Sequence, residues 1–78
     1  MPTVLRDGPY SFVFFSSDRG EPPHIHVLKD DKQLKIWLKS LVVARRVGFA
    51  DHDVNAILKI AHERQAGFLE AWNDHFES

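Results

Sequence analysis

Residues 24–39, which read HIHVLKDDKQLKIWLK, decide the fold of this chain. From residue 33 onward, apolar side chains alternate with charged or aromatic ones at a period of two, the pattern of a strand covered on one side. The apolar set is Leu34, Ile36 and Leu38, and the opposite set is Lys35, Trp37 and Lys39. The stretch therefore predicts an antiparallel hairpin, with a strand over 24–29, a turn at 30–32 and a second strand over 33–39.

Three other segments predict the remaining strands of the same sheet. Residues 3–6 form a short candidate strand, which the turn residues Asp-Gly-Pro at 7–9 close. Residues 10–15 are rich in aromatic and β-branched side chains, and residues 41–47 form a candidate edge strand that ends at a glycine. The longest connection is the loop over 16–23. Because the connections are short, the sequence predicts an antiparallel β-meander of four to five strands.

The hydrophobic period changes to that of an α-helix over residues 51–76. The apolar stripe consists of Val54, Ile57, Leu58, Ala61, Phe68, Leu69, Trp72 and Phe76. Ala50 is the predicted N-cap, and Phe49 and Val54 are the two sides of a hydrophobic staple. A straight helix over this range would be roughly 39 Å long, which exceeds the width of a small sheet. We therefore expect either a bend near Gly67 or last turns that pack on a partner.

Length and composition predict a single α+β domain over 1–78. It is strand-rich over 1–48, and its one long amphipathic helix over 51–76 packs on one face of the sheet. The chain has no cysteine, which excludes a disulfide, a thiolate nucleophile and sulfur ligands for a metal. No apolar run approaches the roughly 20 residues that a membrane span needs, and the start does not resemble a signal peptide. We therefore expect a cytoplasmic protein.

Charge is distributed unevenly along the chain. Residues 1–48 carry eight Lys or Arg and five Asp or Glu, for a net charge of +3, whereas residues 49–78 carry two and six, for a net charge of −4. The whole chain has a net charge of −1, which gives no overall attraction to nucleic acid. The split leaves two interpretations open: ordinary solvated faces that happen to differ, or a basic sheet surface that faces RNA.

The least ordinary motif is PPHIHV at residues 22–27. The two prolines hold the incoming chain extended, and strand alternation places His24 and His26 on one face, with Ile25 and Val27 facing the core. Imidazoles two residues apart on a strand lie about 6–7 Å apart, close enough to share a metal ion or a phosphate. Three interpretations stay open: structural histidines bonded to loop carbonyls, a metal-binding pair, and a phosphate or RNA site in which the pair act as donors or as acid and base.

A metal site would need at least a third ligand. The candidates are His52, His62, His75, Glu63 and Asp51. None stands at the spacing of a known metal-binding motif. The sequence therefore predicts no metal and no cofactor.

A tryptophan between two lysines on one sheet face, Lys35, Trp37 and Lys39, has the composition of a stacking platform for single-stranded nucleic acid. The alternative is that the lysines only solubilise the surface and that Trp37 packs under the helix. The doublet Arg45 and Arg46 is either a phosphate contact or an ordinary exposed edge. The predicted binding residues are His24, His26, Arg19, Lys35, Trp37, Lys39 and Arg46.

The order of these features resembles one family. An N-terminal Met-Pro-Thr-Val, an aromatic strand, the PPHIHV motif, an alternating hairpin and a helix with Trp72 near its end are similar to the small bacterial proteins of domain of unknown function 4160, along nearly the whole chain. The resemblance implies a bacterial, cytoplasmic protein without an assigned activity. It also implies frequent encoding beside another small domain of unknown function, an arrangement that suggests a toxin–antitoxin-like pair. Family members often carry an Asp-His pair shortly before the prolines, whereas residues 18–21 here read DRGE, which argues against a metal site.

The sequence thus leads to one preferred functional hypothesis and two alternatives. The first is a non-catalytic binding module of a toxin–antitoxin-like pair. Its helix would face a small protein partner or a second copy of the chain, and its His24/His26 face and basic sheet residues would face RNA or an operator-bound complex. The second is a small metal-independent ribonuclease-like toxin, with His24 and His26 as general acid and base and with Arg19, Lys35 or Arg46 stabilising the phosphorane. The third is a metal-binding module.

Overall fold

The structure, a computed structural model, describes residues 3–15 and 19–76; residues 16–18 of the predicted 16–23 loop, and residues 1–2 and 77–78, lie outside this part. Five strands form one sheet in chain order, each antiparallel to its neighbours. The strands are β1 Thr3–Asp7, β2 Tyr10–Val13, β3 His24–Lys29, β4 Lys32–Trp37 and β5 Val43–Val47, and two helices follow, α1 Asp51–Glu63 and α2 Gln65–Phe76. The predicted α+β meander is therefore confirmed. No helix within the described residues is both long enough and apolar enough to cross a membrane.

Two-residue turns join the strands of the two tight hairpins. Gly8 and Pro9 connect β1 to β2, and Asp30 and Asp31 connect β3 to β4. Gly8 and Asp30 have left-handed φ values of 58° and 54°, a conformation that suits the right-handed twist of a tight hairpin. The predicted hairpin is confirmed over residues 24–37, with a turn of two residues instead of three.

The second strand of this hairpin is shorter than predicted. β4 ends at Trp37, whose carbonyl accepts a 2.7 Å hydrogen bond from the Leu41 N–H, and Leu41 itself has a φ of 58°. The chain therefore reverses before Lys39 can take a strand position, and Lys39 lies in the turn. β5 accordingly begins at Val43 and not at residue 41.

The start of α1 agrees with the prediction. Ala50 is the N-cap, with extended dihedrals (φ −76°, ψ 163°), and its carbonyl accepts a 3.1 Å hydrogen bond from the Val54 N–H. Phe49 and Val54 are both buried in the core, as the two sides of a hydrophobic staple should be.

The prediction of a single helix over 51–76 is wrong in one respect, because the structure divides this range into α1 and α2. The break is at Arg64 (φ −108°, ψ 9°), and Gly67, the predicted bend, lies inside α2. Hydrogen bonds from Arg64 N–H to the Ile60 carbonyl and from Phe68 N–H to the Arg64 carbonyl span the break. A straight helix of roughly 39 Å would be longer than the molecule, whose longest dimension is 35 Å. The break lets both halves bury their apolar residues in one core.

Aromatic side chains of α2 pack on β2 and on the residue that follows it. The ring centroids of Phe12 and Phe68 are 5.3 Å apart, and the Phe14 ring lies 5.4 Å from Trp72 and 6.0 Å from Phe76. The last turns of the helical region therefore pack on the sheet of their own chain. The excess helix length, which led us to expect a partner, is explained by this intramolecular packing.

A buried hydrogen bond connects β2 to the first turn of α1. The Tyr10 hydroxyl donates to Asp53 Oδ1 at 2.8 Å, and the two residues are 9% and 8% exposed. This bond, followed by burial and the Asp53 charge, raises the pKa of Tyr10. The same bond lowers the pKa of Asp53, against the effect of burial, and nearby basic side chains add to the lowering. The contact is therefore strongest between a neutral tyrosine and an ionised carboxylate.

We expect Tyr10→Phe to reduce the free energy of unfolding in a pH-dependent way. Because the folded-state pKa of Asp53 is lowered, its stabilisation is present above the ordinary carboxyl value of 3.8 and is lost as the pH falls through the lower folded value. Urea unfolding of the wild type and of Tyr10→Phe between about pH 2 and pH 7 measures the difference in their free energies of unfolding. This difference should shrink in acid. Asp53→Asn should remove the same pH dependence. A difference that stays constant into acid would contradict this assignment.

Candidate functional site

The register of β3, β4 and β5 brings three polar side chains into one row. His26 pairs with Lys35, and Lys35 pairs with Arg45. The alternate, apolar positions of β3 and β4 are fully buried in one core with the helices, so this row and the neighbouring Trp37 lie on the opposite side of the sheet. We call the surface formed by His26, Lys35, Trp37 and Arg45 the open face.

Exposure on this side of the sheet increases toward β5. Val13 of β2, which pairs with His26, is only 1% exposed. His26, Lys35 and Trp37 are half-buried, and Arg45 is exposed. The surface available to a ligand therefore lies over β3, β4 and β5, and not over β2.

A groove of about 380 Å³ lies on the open face, with Glu21 and Gln33 lining it beside the open-face side chains. Lys35 Nζ is 2.9 Å from Glu21 Oε1 and 4.6 Å from the centre of the Trp37 ring. The first contact is an ion pair at the surface and the second is a cation–π contact, and each contributes about 1 kcal/mol or less when exposed. An anionic, aromatic ligand could therefore replace both contacts at small cost.

His24, which pairs with Trp37, is buried, in contrast to the open-face residues. It is 0% exposed, and its ring lies 5.1 Å from His26, 5.5 Å from Trp37 and 5.1 Å from Trp72. Its Nδ1 is 2.9 Å from the Pro22 carbonyl, which can only accept, so Nδ1 carries the proton of this bond. The prediction that the two imidazoles lie together is confirmed, but His24 does not reach an accessible surface. It fits the structural interpretation of the motif.

His26 is the accessible member of the pair. It is half-buried, it lines the groove, and its ring contacts Phe15 edge-on at 4.4 Å. Only one of the two imidazoles can therefore meet a ligand in the groove.

Three other predicted binding residues do not line the groove. Arg46 pairs with Leu34 on the helix side, where its guanidinium donates to Asp51 at 2.7 Å. Lys39 lies in the turn after β4, and Arg19 lies in an exposed turn before the prolines. Their placement differs from the prediction because strand register and turn position, which the sequence left open, decide which side chains share a face.

Three polar residues that line the groove, Glu21, Gln33 and Arg45, were not among the predicted binding residues, although the doublet that contains Arg45 was considered as a phosphate contact. Arg45 and not Arg46 faces Lys35, since a register shift between Lys35 and Ile36 changes the pairing along β5. The doublet itself was a usable signal, because two consecutive strand residues must point to opposite faces. Glu21 could not be found, because it reaches Lys35 from a loop.

Among residues 3–15 and 19–76, no three His, Asp or Glu side chains come close enough together to hold a metal ion. The candidate third ligands are all exposed on the helices; they are His52, His62, His75, Glu63 and Asp51.

We expect His24→Ala to lower the free energy of unfolding by about 2–4 kcal/mol, because it leaves a cavity among aromatic rings and an unpaired Pro22 carbonyl. His26→Ala, at a half-buried position, should cost about 1 kcal/mol or less. Denaturant unfolding of the two variants gives both values. Equal small losses in both variants would contradict the structural role of His24.

A model of the family described as Domain of unknown function (DUF4160) matches residues 10–73, a range that contains the whole open face and the groove. No curated protein and no solved structure matches the chain.

Proposed function

The chain belongs to the family described as domain of unknown function (DUF4160), and we propose that it is a non-catalytic binding module whose open face binds single-stranded RNA. We propose further that it acts with a small protein partner in a toxin–antitoxin-like pair in the bacterial cytoplasm. The observation that carries the RNA proposal is the row His26–Lys35–Arg45 beside Trp37 in one groove.

The chemistry of the groove suits an unpaired nucleotide strand. Exposed bases stack on aromatic side chains such as Trp37, and phosphates are contacted by Lys and Arg. His26 and Gln33 add groups that can donate or accept hydrogen bonds at base edges or the 2′-hydroxyl. A duplex keeps its bases stacked in pairs and offers them less readily to Trp37, so the proposal is specific for a single strand.

The charge distribution supports the same surface. The net charge of +3 belongs to residues 1–48, the range that contains the five strands, whereas residues 49–78, the range that contains the two helices, carry −4. An RNA strand would therefore be attracted to the sheet and repelled by the helical layer, which orients it toward the open face.

The placement of His24 favours binding over cleavage. A metal-independent ribonuclease needs a general acid and a general base within hydrogen-bond reach of the same phosphodiester. His24 is 0% exposed and its Nδ1 is engaged by Pro22. His26 remains as the single imidazole that lines the groove. This arrangement supports a binding role.

Arg45→Ala should weaken binding of a labelled oligouridylate of about ten nucleotides and reduce the slope of log K against log salt by about 1, because one phosphate contact is lost. Trp37→Ala should weaken it by roughly 5- to 100-fold through lost stacking. Fluorescence anisotropy at several salt concentrations measures both effects.

Arg46→Ala is the matched control, because Arg46 has the same charge and the adjacent position but points to the helix side, toward Asp51. It should leave RNA affinity unchanged. Equal losses for Arg45→Ala and Arg46→Ala would show that only net charge matters, and the absence of any RNA binding by the wild type would remove the proposal.

Glu21→Gln should raise RNA affinity by about two- to five-fold, because Lys35 Nζ would no longer have to leave a carboxylate before meeting a phosphate. Asp31→Asn makes the same change of charge in the exposed β3–β4 turn and serves as the control. If both variants increase affinity equally, the Glu21–Lys35 contact does not compete with RNA.

A further inference from the structure

The groove on the open face contains one side chain that a phosphate should avoid. Within the part of the chain that the structure describes, Glu21 is the only acidic residue that lines it. A carboxylate repels the backbone of RNA, because each phosphate carries a negative charge. The groups of an RNA strand that can contact a carboxylate favourably are hydrogen-bond donors, which lie on the bases and the 2′-hydroxyls. Glu21 is therefore placed to contact a base or a ribose and not the backbone.

Glu21 and Lys35 form a contact that a base can join without breaking it. Lys35 Nζ donates to Glu21 Oε1 at 2.9 Å, and the side chains of Lys35 and Glu21 are 21% and 45% exposed. An ammonium group has three donors, and the two oxygens of a carboxylate offer about four acceptor sites. This one contact therefore leaves both partners with capacity for further hydrogen bonds. The groove thus presents a donor and an acceptor side by side.

Trp37 determines which part of a base would meet this pair. Lys35 Nζ lies over the Trp37 ring, 4.6 Å from its centre. A flat base stacked on the ring would lie about 3.5–4.0 Å above it, in nearly the same layer as the ammonium. The base must therefore displace the ammonium sideways, which costs little because an exposed cation–π contact is weak. The ammonium and its carboxylate then face the edge of the base and not its ring face.

Guanine fits this donor–acceptor pair best among the four bases. Its Watson–Crick edge presents the acceptor O6 and then two adjacent donors, N1–H and N2–H. Lys35 can donate to O6 while the two oxygens of Glu21 accept from N1–H and N2–H, which gives three hydrogen bonds. Uracil, adenine and cytosine each offer the pair only one acceptor beside one donor, which gives two. The distinguishing group is the 2-amino group of guanine, and a hydrogen bond to a carboxylate is among the strong ones.

We propose that the open face prefers guanine in its RNA ligand and that Glu21 is the residue that determines this preference. The inference rests on the proposed RNA binding and adds the base that the groove selects. Arg45, which pairs with Lys35 on the neighbouring strand, remains available for a phosphate. Base and backbone are thus contacted by different side chains.

Four ten-nucleotide strands test this preference with the full-length protein. One alternates uridine with guanosine, the second alternates uridine with inosine, the third alternates cytidine with adenosine, and the fourth is oligouridylate. Inosine is guanosine without the 2-amino group, so it matches guanosine in ring size and stacking. Fluorescence anisotropy should show that the guanosine strand binds roughly fivefold more tightly than the inosine strand. Neither of the other two strands should bind more tightly than the inosine strand.

Glu21→Gln should abolish the distinction between guanosine and inosine, because an amide has one acceptor oxygen in place of two. The ratio of the two affinities should fall from roughly 5 to about 1. The gain that removal of the negative charge gives to every strand cancels in this ratio. Asp31→Asn removes the same charge in the exposed β3–β4 turn and should leave the ratio unchanged.

Equal affinity of the wild type for the guanosine and inosine strands would overturn this proposal and leave RNA binding itself intact. A ratio that survives in Glu21→Gln would overturn the role of Glu21. A ratio that Asp31→Asn also abolishes would overturn it too, because net charge and not contact with Glu21 would then be responsible. Failure of all four strands to bind would instead remove the RNA function, and the base preference with it.

Discussion

Burial of the helix-side residues of β3 and β4 is the constraint on which the rest of this structure depends. These residues, all 0–1% exposed, are Ile25, Val27, Leu34 and Ile36. Removing apolar surface from water contributes about 25 cal/mol per Å², and a slip of one residue would move this whole set to the solvent side. The core therefore fixes the register, and the pleat then places His26, Lys35 and Trp37 together on the other face. The candidate RNA surface is therefore a consequence of the packing of the hydrophobic core.

The PPHIHV motif combines a structural part and a surface part. A polar ring surrounded by aromatic side chains is costly unless its polar atoms are bonded. The Pro22 carbonyl supplies such a bond to His24, and the adjoining prolines hold that carbonyl in place. His24 in turn touches Trp37 of the sheet and Trp72 of α2, so it joins the two layers. His26, two residues on, is left to line the groove. Two identical residue types thus take different roles, because His24 packs against Trp72 of α2 whereas His26 lines the groove.

The open face is regular β-structure in the basic half of the chain, and its aromatic ring, Trp37, is already contacted by the Lys35 ammonium. Glu21 reaches that ammonium from the loop before β3, so a hydrogen-bond donor and an acceptor stand together beside the ring. Cations attract any phosphate backbone, whereas a carboxylate can contact only groups that donate hydrogen bonds. Attraction and discrimination thus come from different parts of the fold, because the paired strands supply the cations and the loop supplies the carboxylate.

The sequence by itself determined the α+β class, the β3–β4 hairpin, the N-cap at Ala50 and the placement of Lys35 and Trp37 on one face, because local periodicity and turn chemistry suffice for each. Only the tertiary structure decided that His24 is buried, that Arg45 replaces Arg46 on the open face, and that the helix breaks at Arg64. These features depend on contacts between residues far apart in the chain. The Tyr10–Asp53 bond and the Glu21–Lys35 pair also join residues far apart in the chain, so only the tertiary structure decided them. The sequence pattern shows which residues are apolar. Which side chain lies opposite each of them is fixed only when the helices pack on the sheet.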